Sequence, residues 1–553
     1  FGRERLKNLR VIAVDEIHLL DGSPRGDQLR ALLGRVRVYL RSIRDGQPLG
    51  LQVVALSATV PDPERTADAY LNSDRKVISV AGQRNLEART VVAVGDDAQR
   101  AQAAAIAVGQ FEDVHKVLVF VNSRKQVDAI SQYFASAGLS DWPVHGHHGN
   151  LSKQKREHTE ERFKAERRAI CVATMTLEIG IDIGDVDLVI CMDPPFSLSS
   201  FLQRIGRGCR RLQGKTRVLC VARDRAGELI FQGLIRQTGL GIPAGPTAPF
   251  RRSVLVQQIL AYLRQVNGNR RTLNQFAQVF SHQSAPIVTT DMVVATVTDM
   301  VGTGLLDEKH TICQPGSDGW DFIESSRIYA NIAPEPSGVT LVDAESGEPL
   351  AKVTGLRDHD GGVRIAGKSY EVMADSGSTL RVREGGQYEA APRYFARSLP
   401  YASDVGIATG AALGFASSQL AVIESGSELI VMTWQGRLVN SCLAAAMTSA
   451  GVKARAASFA VIIQGVPAFR LRTILSEAAA ALATQNPLTR VTVESIVDIG
   501  PYFRLLSTDA QAIARCDWLD IQHINKWIDD VEDVVTVDPN SDLGADVVAL
   551  ARL

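Results

Sequence analysis

The sequence predicts an α/β chain built on parallel sheet, followed by smaller helical and β modules. Three observations carry that prediction. Through about residue 240, short apolar runs alternate with amphipathic stretches, the pattern of βα units. The runs are β-branched and nearly continuous, as strands buried on both faces are. Beyond residue 250 the periodicity turns helical, and then into short alternating strands broken by turn residues.

The apolar runs are "VIAVD" (11–15), "LQVVALSAT" (51–59), "KVLVFVNS" (116–123), "RAICVATMT" (168–176), "VDLVICMD" (186–193) and "TRVLCVARD" (216–224). Several end in Asp, Ser or Thr. Ligands of open parallel sheets sit beyond the carboxyl ends of the strands, so those endings are where chemistry is expected. Over 250–330, "RSVLVQQILAYLRQV", "TLNQFAQVF" and "TTDMVVATVTDMV" have helical spacing, and "CQPGSDGWDF" offers Asp318-Gly319 as a hairpin turn. Helices followed by a hairpin predict a winged-helix domain. Its third helix, 289–301, carries Asp291 and Asp299 but no Lys or Arg, which favours packing over reading of bases. Residues 331–400 hold a small antiparallel β module, and 401–553 mix strands and helices in a C-terminal α+β domain.

Composition bounds the function. The chain has 553 residues, 45% hydrophobic and 22% charged, as in ordinary globular protein with several domains. The formal net charge of −1 provides no global basic field, so a nucleic acid has to be held by a local patch or groove. Seven cysteines form no C-x-x-C pair, which argues against a structural zinc site, an iron–sulfur cluster or a disulfide framework and fits a cytoplasmic setting. No apolar run reaches the ~18 residues of a membrane span. The start at Phe1, without Met, suggests a fragment.

Asp15-Glu16, at the end of the first run, can hold Mg²⁺ and polarise an attacking water, the two needs of nucleoside triphosphate hydrolysis. Taken alone, two acids after a strand are ordinary strand termination. "LSAT" (56–59) ends the next run with small hydroxyls. "QRIGRGCR" (203–210) spaces Arg207 and Arg210 three apart on one helical face, where guanidiniums can reach a phosphate. "SFLQ", from Ser200 to Gln203, has the form of a capping box. "VNSRKQ" (121–126) and "TMTLEIGID" (174–182) are polar where a strand would end.

In this order the pieces resemble the superfamily 2 DEAD/DEAH-box helicases: DEIH as motif II, SAT as motif III, "VFVNSRKQ" as motif IV, "ATMTLEIGID" as motif V and QRIGRGCR as motif VI. The stretch 147–190, "HHGNLSKQKREHTEERFKAERRAICVATMTLEIGIDIGDVDLVI", is similar more narrowly to the large helicase-related (Lhr) family, as is the order of the later modules, including "VMTWQGRLVNSCLA" (431–444). The resemblance implies tandem RecA-like lobes, the first incomplete over 1–88 and the second over 89–245, ahead of the winged helix, β module and C-terminal domain. It implies Mg²⁺ on Asp15, water activation by Glu16, and arginine fingers at Arg207 and Arg210. Gly180, Asp182 and Gln203 would line the ATP side, and His18, Ser57 and Thr59 would couple hydrolysis to movement. Ser123, Arg124, His148 and Thr174 would face the nucleic-acid backbone, although Ser123 or Thr174 can equally cap and His148 can be a satisfied turn residue.

The implied activity is an ATP-dependent translocase and helicase on single-stranded DNA and on DNA or RNA–DNA duplexes, in DNA repair or genome maintenance. Rival readings are a Ski2-like helicase, or a nucleic-acid-binding scaffold or defence component that works without ATP. Cys209 stands where motif VI usually has Gly, so either Arg210 or Arg211 can be the second finger. No phosphate-cradling G-x-G-K-[ST] occurs in the chain, and "QGKT" (213–216) lacks the required glycine spacing. The fragment is therefore expected to be inactive as it stands. On this reading, limited proteolysis cuts 1–85 well before 110–240; equal resistance of the two segments counts against an incomplete first lobe.

Overall fold

The computed structural model describes residues 6–44, 50–71, 74–80, 85–111, 113–136, 142–178, 183–208, 215–243, 250–281, 288–325, 327–329, 339–353, 361–366, 368–376, 379–386, 388, 400–484, 500, 502–517 and 521–553. The first unit holds β1 (Val11–Val14), α1 (Pro24–Ile43), β2 (Gln52–Ala55) and α2 (Pro63–Tyr70). β1 and β2 pair in parallel, Val11 opposite Gln52 through Val14 opposite Ala55. Both helices start the same way: Ser23 and Asp62 each accept a hydrogen bond from an amide of the first turn, and Pro follows each cap.

The second unit is a six-stranded, all-parallel sheet. Its elements are β3 (Asn85–Val92), α3 (Asp97–Val108), β4 (Lys116–Val121), α4 (Arg124–Ser136), β5 (Val144–His147), α5 (Lys153–Ala165), β6 (Ala169–Ala173), β7 (Leu188–Met192), α6 (Leu198–Ile205), β8 (Lys215–Ala222) and α7 (Arg225–Gln237). The order is β3-β8-β7-β4-β6-β5. Val117 through Val121 and Leu188 through Met192 are wholly buried, which is why these runs carry no polar alternation. Each such side chain contributes about 1.5–3 kcal/mol of hydrophobic stabilisation. β3, an edge strand half polar in sequence, extends the sheet back to Asn85 and so straddles the 88/89 boundary that the resemblance implied.

The third unit contains α8 (Arg252–Gln265), β9 (Arg271–Thr272), α9 (Leu273–Phe280), α10 (Thr290–Gly302), β10 (Leu306–Lys309), β11 (Ile312–Pro315) and α11 (Ser317–Glu324). A hairpin does follow three helices, but its turn is His310-Thr311, not Asp318-Gly319. Both turn residues have positive φ, 52° and 65°, as a two-residue turn matched to strand twist requires. Asp318 instead lies in the first turn of α11, where a carboxylate opposes the helix dipole. α10 packs against the segment after residue 500: Ser507 donates its backbone N–H to Asp299 Oδ2 at 3.1 Å.

The β module comprises β12 (Val339–Asp343), β13 (Pro349–Val353), β14 (Gly362–Ile365), β15 (Lys368–Asp375) and β16 (Thr379–Glu384), in the order β13-β12-β16-β15-β14. It is mixed, not antiparallel. The meander β14–β16 returns beside β12 in the same direction, making one parallel pair. The last unit has α12 (Ser403–Ala412), β17 (Gln419–Ser425), β18 (Glu428–Met432), α13 (Arg437–Ser449), β19 (Ala454–Ala456), β20 (Ala460–Gln464), α14 (Leu471–Thr484), α15 (Thr508–Asp517), α16 (Ile521–Asp529), β21 (Asp533–Thr536) and α17 (Asp542–Ala551). Its sheet runs β19-β20-β18-β17-β21, with β21 parallel to β17. Among the described residues no helix is long and apolar enough to cross a membrane.

Packing gathers these units into two bodies. In one, α1 lies on α8: Ala31 joins the core of the third unit, and Gln28 donates to Gln257 at 3.1 Å. Tyr502, Phe503 and Leu506 enter the same core, so 502–517 packs with the third unit rather than with the rest of 401–553. Arg251 is sealed in this interface, donating to Asp27 at 2.6 Å and to the Gly22 carbonyl at 2.5 Å. Arg251 is almost wholly buried there. In the other body, the core of the six-stranded sheet runs on into Val405, Trp434 and Phe459 of the last unit. Gly233 of α7 meets α12 so closely that a Cβ would sit 2.8 Å from the Ala408 backbone. The β module docks on the far edge: Asn150 and Lys352 exchange backbone and side-chain hydrogen bonds at 3.0 and 2.7 Å.

Burial pushes the Asp27 carboxyl upward, while Arg251 and then Arg30 hold it down. Arg251→Met leaves Asp27 paired with Arg30. Breaking a buried pair this way costs about 3 kcal/mol. Urea unfolding should show that loss, and Arg251→Met combined with Asp27→Leu should recover most of it.

Candidate functional site

The carboxyl end of β1 turns abruptly. Glu16 takes left-handed backbone angles, φ 51° and ψ 47°, which cost a non-glycine residue about 1–2 kcal/mol and persist only where the surroundings impose them. Its amide donates to Asp15 Oδ1 at 2.9 Å, and the Ile17 amide is tied to the Leu56 carbonyl. Asp15 is exposed and Glu16 half-buried, so both carboxylates face the space beyond the strand ends.

His18 carries the contact from this turn to the second sheet. Its Nδ1 lies 2.6 Å from Ser57 Oγ and 3.3 Å from Glu16 Oε2. Gln203 of α6 donates its amide to His18 Nε2, and also to Thr59 Oγ1 at 3.1 Å. An acceptor at Nε2 leaves the proton on Nδ1, directed at Ser57. Burial lowers the His18 pKa, with Glu16 opposing, so a neutral ring suits the arrangement. Ser57 also accepts the Thr59 amide at 3.2 Å, and Ser199 reaches the Thr59 carbonyl at 3.4 Å. Residues 15, 16, 18, 57, 59 and 203 thus converge on one cleft between two sheets.

α6 has a second face. Arg204, buried, donates to Glu178 Oε1 at 2.7 Å and to Asn122 Oδ1 at 3.0 Å. Glu178 also accepts from Ser200 Oγ at 2.8 Å, and its carbonyl takes Arg207 Nη2 at 2.7 Å. Arg207 is half-buried and lies past the end of α6, which stops at Ile205, so the helical face expected to carry it is not formed there. The helix cap is Ser197, which accepts the Ser200 amide. Ser200 is therefore inside the helix, not its cap, because its hydroxyl is taken by Glu178. A third partner comes from α12: Asp404 accepts the Leu198 amide at 3.1 Å, and burial pushes its carboxyl up to about 6. Glu178, Arg204, Asn122 and Asp404 were not singled out in the sequence. Only Glu178 and Arg204 left a trace, as charges inside otherwise apolar motif segments.

Gly180, Asp182 and Arg210 lie outside the described residues. Ser123 receives the Gln126 amide at 3.3 Å and so caps α4, with Arg124 half-buried next to it. Thr174, buried, stands at a turn 3.5 Å from Thr176 Oγ1. His148 is fully buried near the β-module contact, its Nδ1 accepting the Asn150 amide at 3.3 Å. Its Nε2 is buried without a hydrogen-bond partner. Asp193, at the end of β7, is held by buried Arg100 at 2.5 Å and by Gln126 at 3.2 Å, a structural strand end. Trp434 is buried against Phe415, ring centroids 5.3 Å apart, whereas Trp320 remains partly exposed.

Burial, with Arg124, His147 and Arg156 nearby, lowers the His148 pKa to about 3. The unfolded chain then binds more protons than the folded one between pH 6.5 and about 3. Stability is full above 6.5 and falls as pH drops through that window. By pH 5 the loss should be about 2 kcal/mol, and His148→Asn should abolish that part of it in urea titrations at pH 7.5 and 5.0.

Comparison with known proteins agrees with this arrangement. Residues 1–66 match the DEAD/DEAH box helicase family, and residues 100–211 match the helicase conserved C-terminal domain. An ATP-dependent helicase Lhr-Core of Methanothermobacter thermautotrophicus is 32% identical over 256 residues, covering 43% of this chain and 28% of that protein. Another, from Sulfolobus acidocaldarius, is 25% identical over 458 residues, covering 74% of this chain and 48% of that protein. The chain thus spans less than half the length of these curated relatives. In fold, it is similar to Mycobacterium smegmatis helicase Lhr bound to ssDNA and AMP-PNP, with a TM-score of 0.65 at 18% identity, over 99% of this chain and 81% of the other. It is also similar to the DUF1998 helicase MrfA bound to DNA and AMPPNP, with a TM-score of 0.55 at 14% identity, over 87% of this chain and 73% of the other. With the residues of motifs II, III and VI meeting at one cleft between two α/β units, the chain carries superfamily 2 helicase domains and is similar to the Lhr-Core helicases.

Proposed function

We propose that the cleft between β1–β2 and α6 hydrolyses ATP and drives movement along a nucleic-acid strand. The observation that carries this reading is the Gln203 bridge to His18 and Thr59, which joins the carboxylate turn of one unit to the arginine-bearing helix of the other. Glu16, its backbone strained into place, would take a proton from the attacking water. Arg207, parked on the Glu178 carbonyl, would reach the transferring phosphate as the cleft closes. The donor set fits a magnesium ion held mainly by water and substrate. Among the described residues no cluster of three or more His, Cys, Asp or Glu forms a metal cage, and Asp15 offers one exposed carboxylate. When bound there, Mg²⁺ would neutralise charge developing on the phosphates.

Closure of this cleft would swing the two composite bodies as wholes, since α1 is locked to α8 and the six-stranded sheet to the last unit. Ser123, Arg124 and Thr174 would supply backbone contacts to the strand, with His148 setting the loop beneath them. The DNA bound in the M. smegmatis Lhr and MrfA structures supports single-stranded DNA as the track, and DNA or RNA–DNA duplex as the opened substrate is our reading for this chain. Genome maintenance is the biological setting we propose.

No G-x-G-K-[ST] loop occurs within the 553 residues, and hydrolysis needs one, so these residues by themselves should turn over no ATP. In a motor that carries such a loop, Glu16→Gln should abolish hydrolysis while ATP and strand binding persist. Arg207→Ala should lower the rate about 10³–10⁵-fold. Normal turnover by Arg207→Ala in a phosphate-release assay would remove the finger assignment.

A further inference from the structure

Away from the cleft, the third unit holds a cavity of about 420 Å³, lined by Arg264, Asn269, Trp320, Ile323, Glu324 and Tyr329. That volume falls in the lower part of the range that small-molecule sites occupy. Positions 320, 323 and 324 share one face of α11, so this helix builds one wall. Ile323, 6% exposed, forms an apolar floor, while Trp320 and Tyr329 are 36% and 70% exposed at the rim.

The polar groups set this cavity apart. Arg264 and Glu324, both exposed, and half-buried Asn269 line it, and none makes a side-chain hydrogen bond or ion pair among the described residues. The same is true of the Trp320 indole N–H and the Tyr329 hydroxyl. The Arg264 guanidinium and the Glu324 carboxylate form no ion pair with each other. Such a site suits a flat ligand that offers acceptors on one edge and donors on another.

We propose that this cavity is a guanine-binding subsite. Guanine presents N1–H and N2–H to a carboxylate and O6 and N7 to a guanidinium, so Glu324 and Arg264 together match two of its edges. Its face stacks on Trp320 or Tyr329, a contact worth about 1–3 kcal/mol per base. Adenine leaves the carboxylate facing a ring nitrogen acceptor, and a pyrimidine cannot reach both charges. The guanine can belong to a strand or to a free nucleotide; both present the same edges.

The test titrates guanosine 5′-monophosphate into the 553-residue chain while tryptophan fluorescence is recorded. Saturable quenching is expected, with half-saturation at least ~5-fold lower than for AMP or CMP, the factor that about 1 kcal/mol of discrimination gives. Glu324→Ala, which keeps the fluorophore, should erase the preference, and Glu308→Ala, on β10, should leave it intact. A thymidine decamer with one central guanine, compared with the all-thymidine strand by anisotropy, identifies the source. A guanine preference that vanishes in Glu324→Ala assigns a strand; preference for the mononucleotide alone assigns a free nucleotide. Identical behaviour of wild type and Glu324→Ala toward both probes overturns the subsite. So does equal binding of AMP, or quenching by a proline-rich peptide but not by guanine. The mononucleotide arm needs neither ATP turnover nor strand binding, so it stands or falls separately from the motor.

Discussion

An eight-residue helix sets the geometry of this molecule. α6 satisfies three partners at once: Gln203 reaches His18 and Thr59, Arg204 neutralises buried Glu178, and its N-terminal amide at Leu198 is received by Asp404. Each of these groups is partly or wholly withdrawn from water. An unmet charge at Glu178 or Arg204 would cost several kcal/mol, so the helix has little freedom to rotate about its axis. Arg207, just past the end of α6, is held by the carbonyl of the same Glu178.

The same economy of contact explains how chemistry could become movement. The carboxylate turn after β1 belongs to a body that includes α8, the hairpin and residues 502–517. The arginine helix belongs to a body that includes the β module and most of the C-terminal unit. Buried ion pairs hold the first together, and a continuous apolar core holds the second. Side chains at the cleft, by contrast, meet through neutral hydrogen bonds of His, Gln, Ser and Thr, which cost little to break and remake. The stiff joints lie within each body and the soft one lies between them.

Two residue choices make close docking possible. Gly146 sits where a Cβ would come 2.7 Å from the Ala366 backbone, and Gly233 likewise admits α12. The β module therefore touches the sheet edge through backbone at Asn150, Leu151 and Ser152, joined by side-chain contacts from Asn150, Asp128 and Gln154. This couples the loop containing His148 to a unit far away in sequence. It also explains why that histidine is buried although its neighbours are polar.

Local pattern alone determined the parallel sheet, its strands and the acidic and basic motif ends, because a strand buried on both faces has to be apolar throughout and stops where polarity begins. It also carried the family resemblance, since motif order is a property of the chain. The sequence misplaced the hairpin turn, since His310-Thr311 adopts left-handed angles without glycine or asparagine to announce them. It misjudged the β module's strand directions, because the return of β16 parallel to β12 depends on pairing between segments some way apart in the chain. Only the tertiary structure decided which polar residues are spent on holding units together and which face the cleft. That division is set by distance and burial between remote residues, quantities with no counterpart in linear spacing.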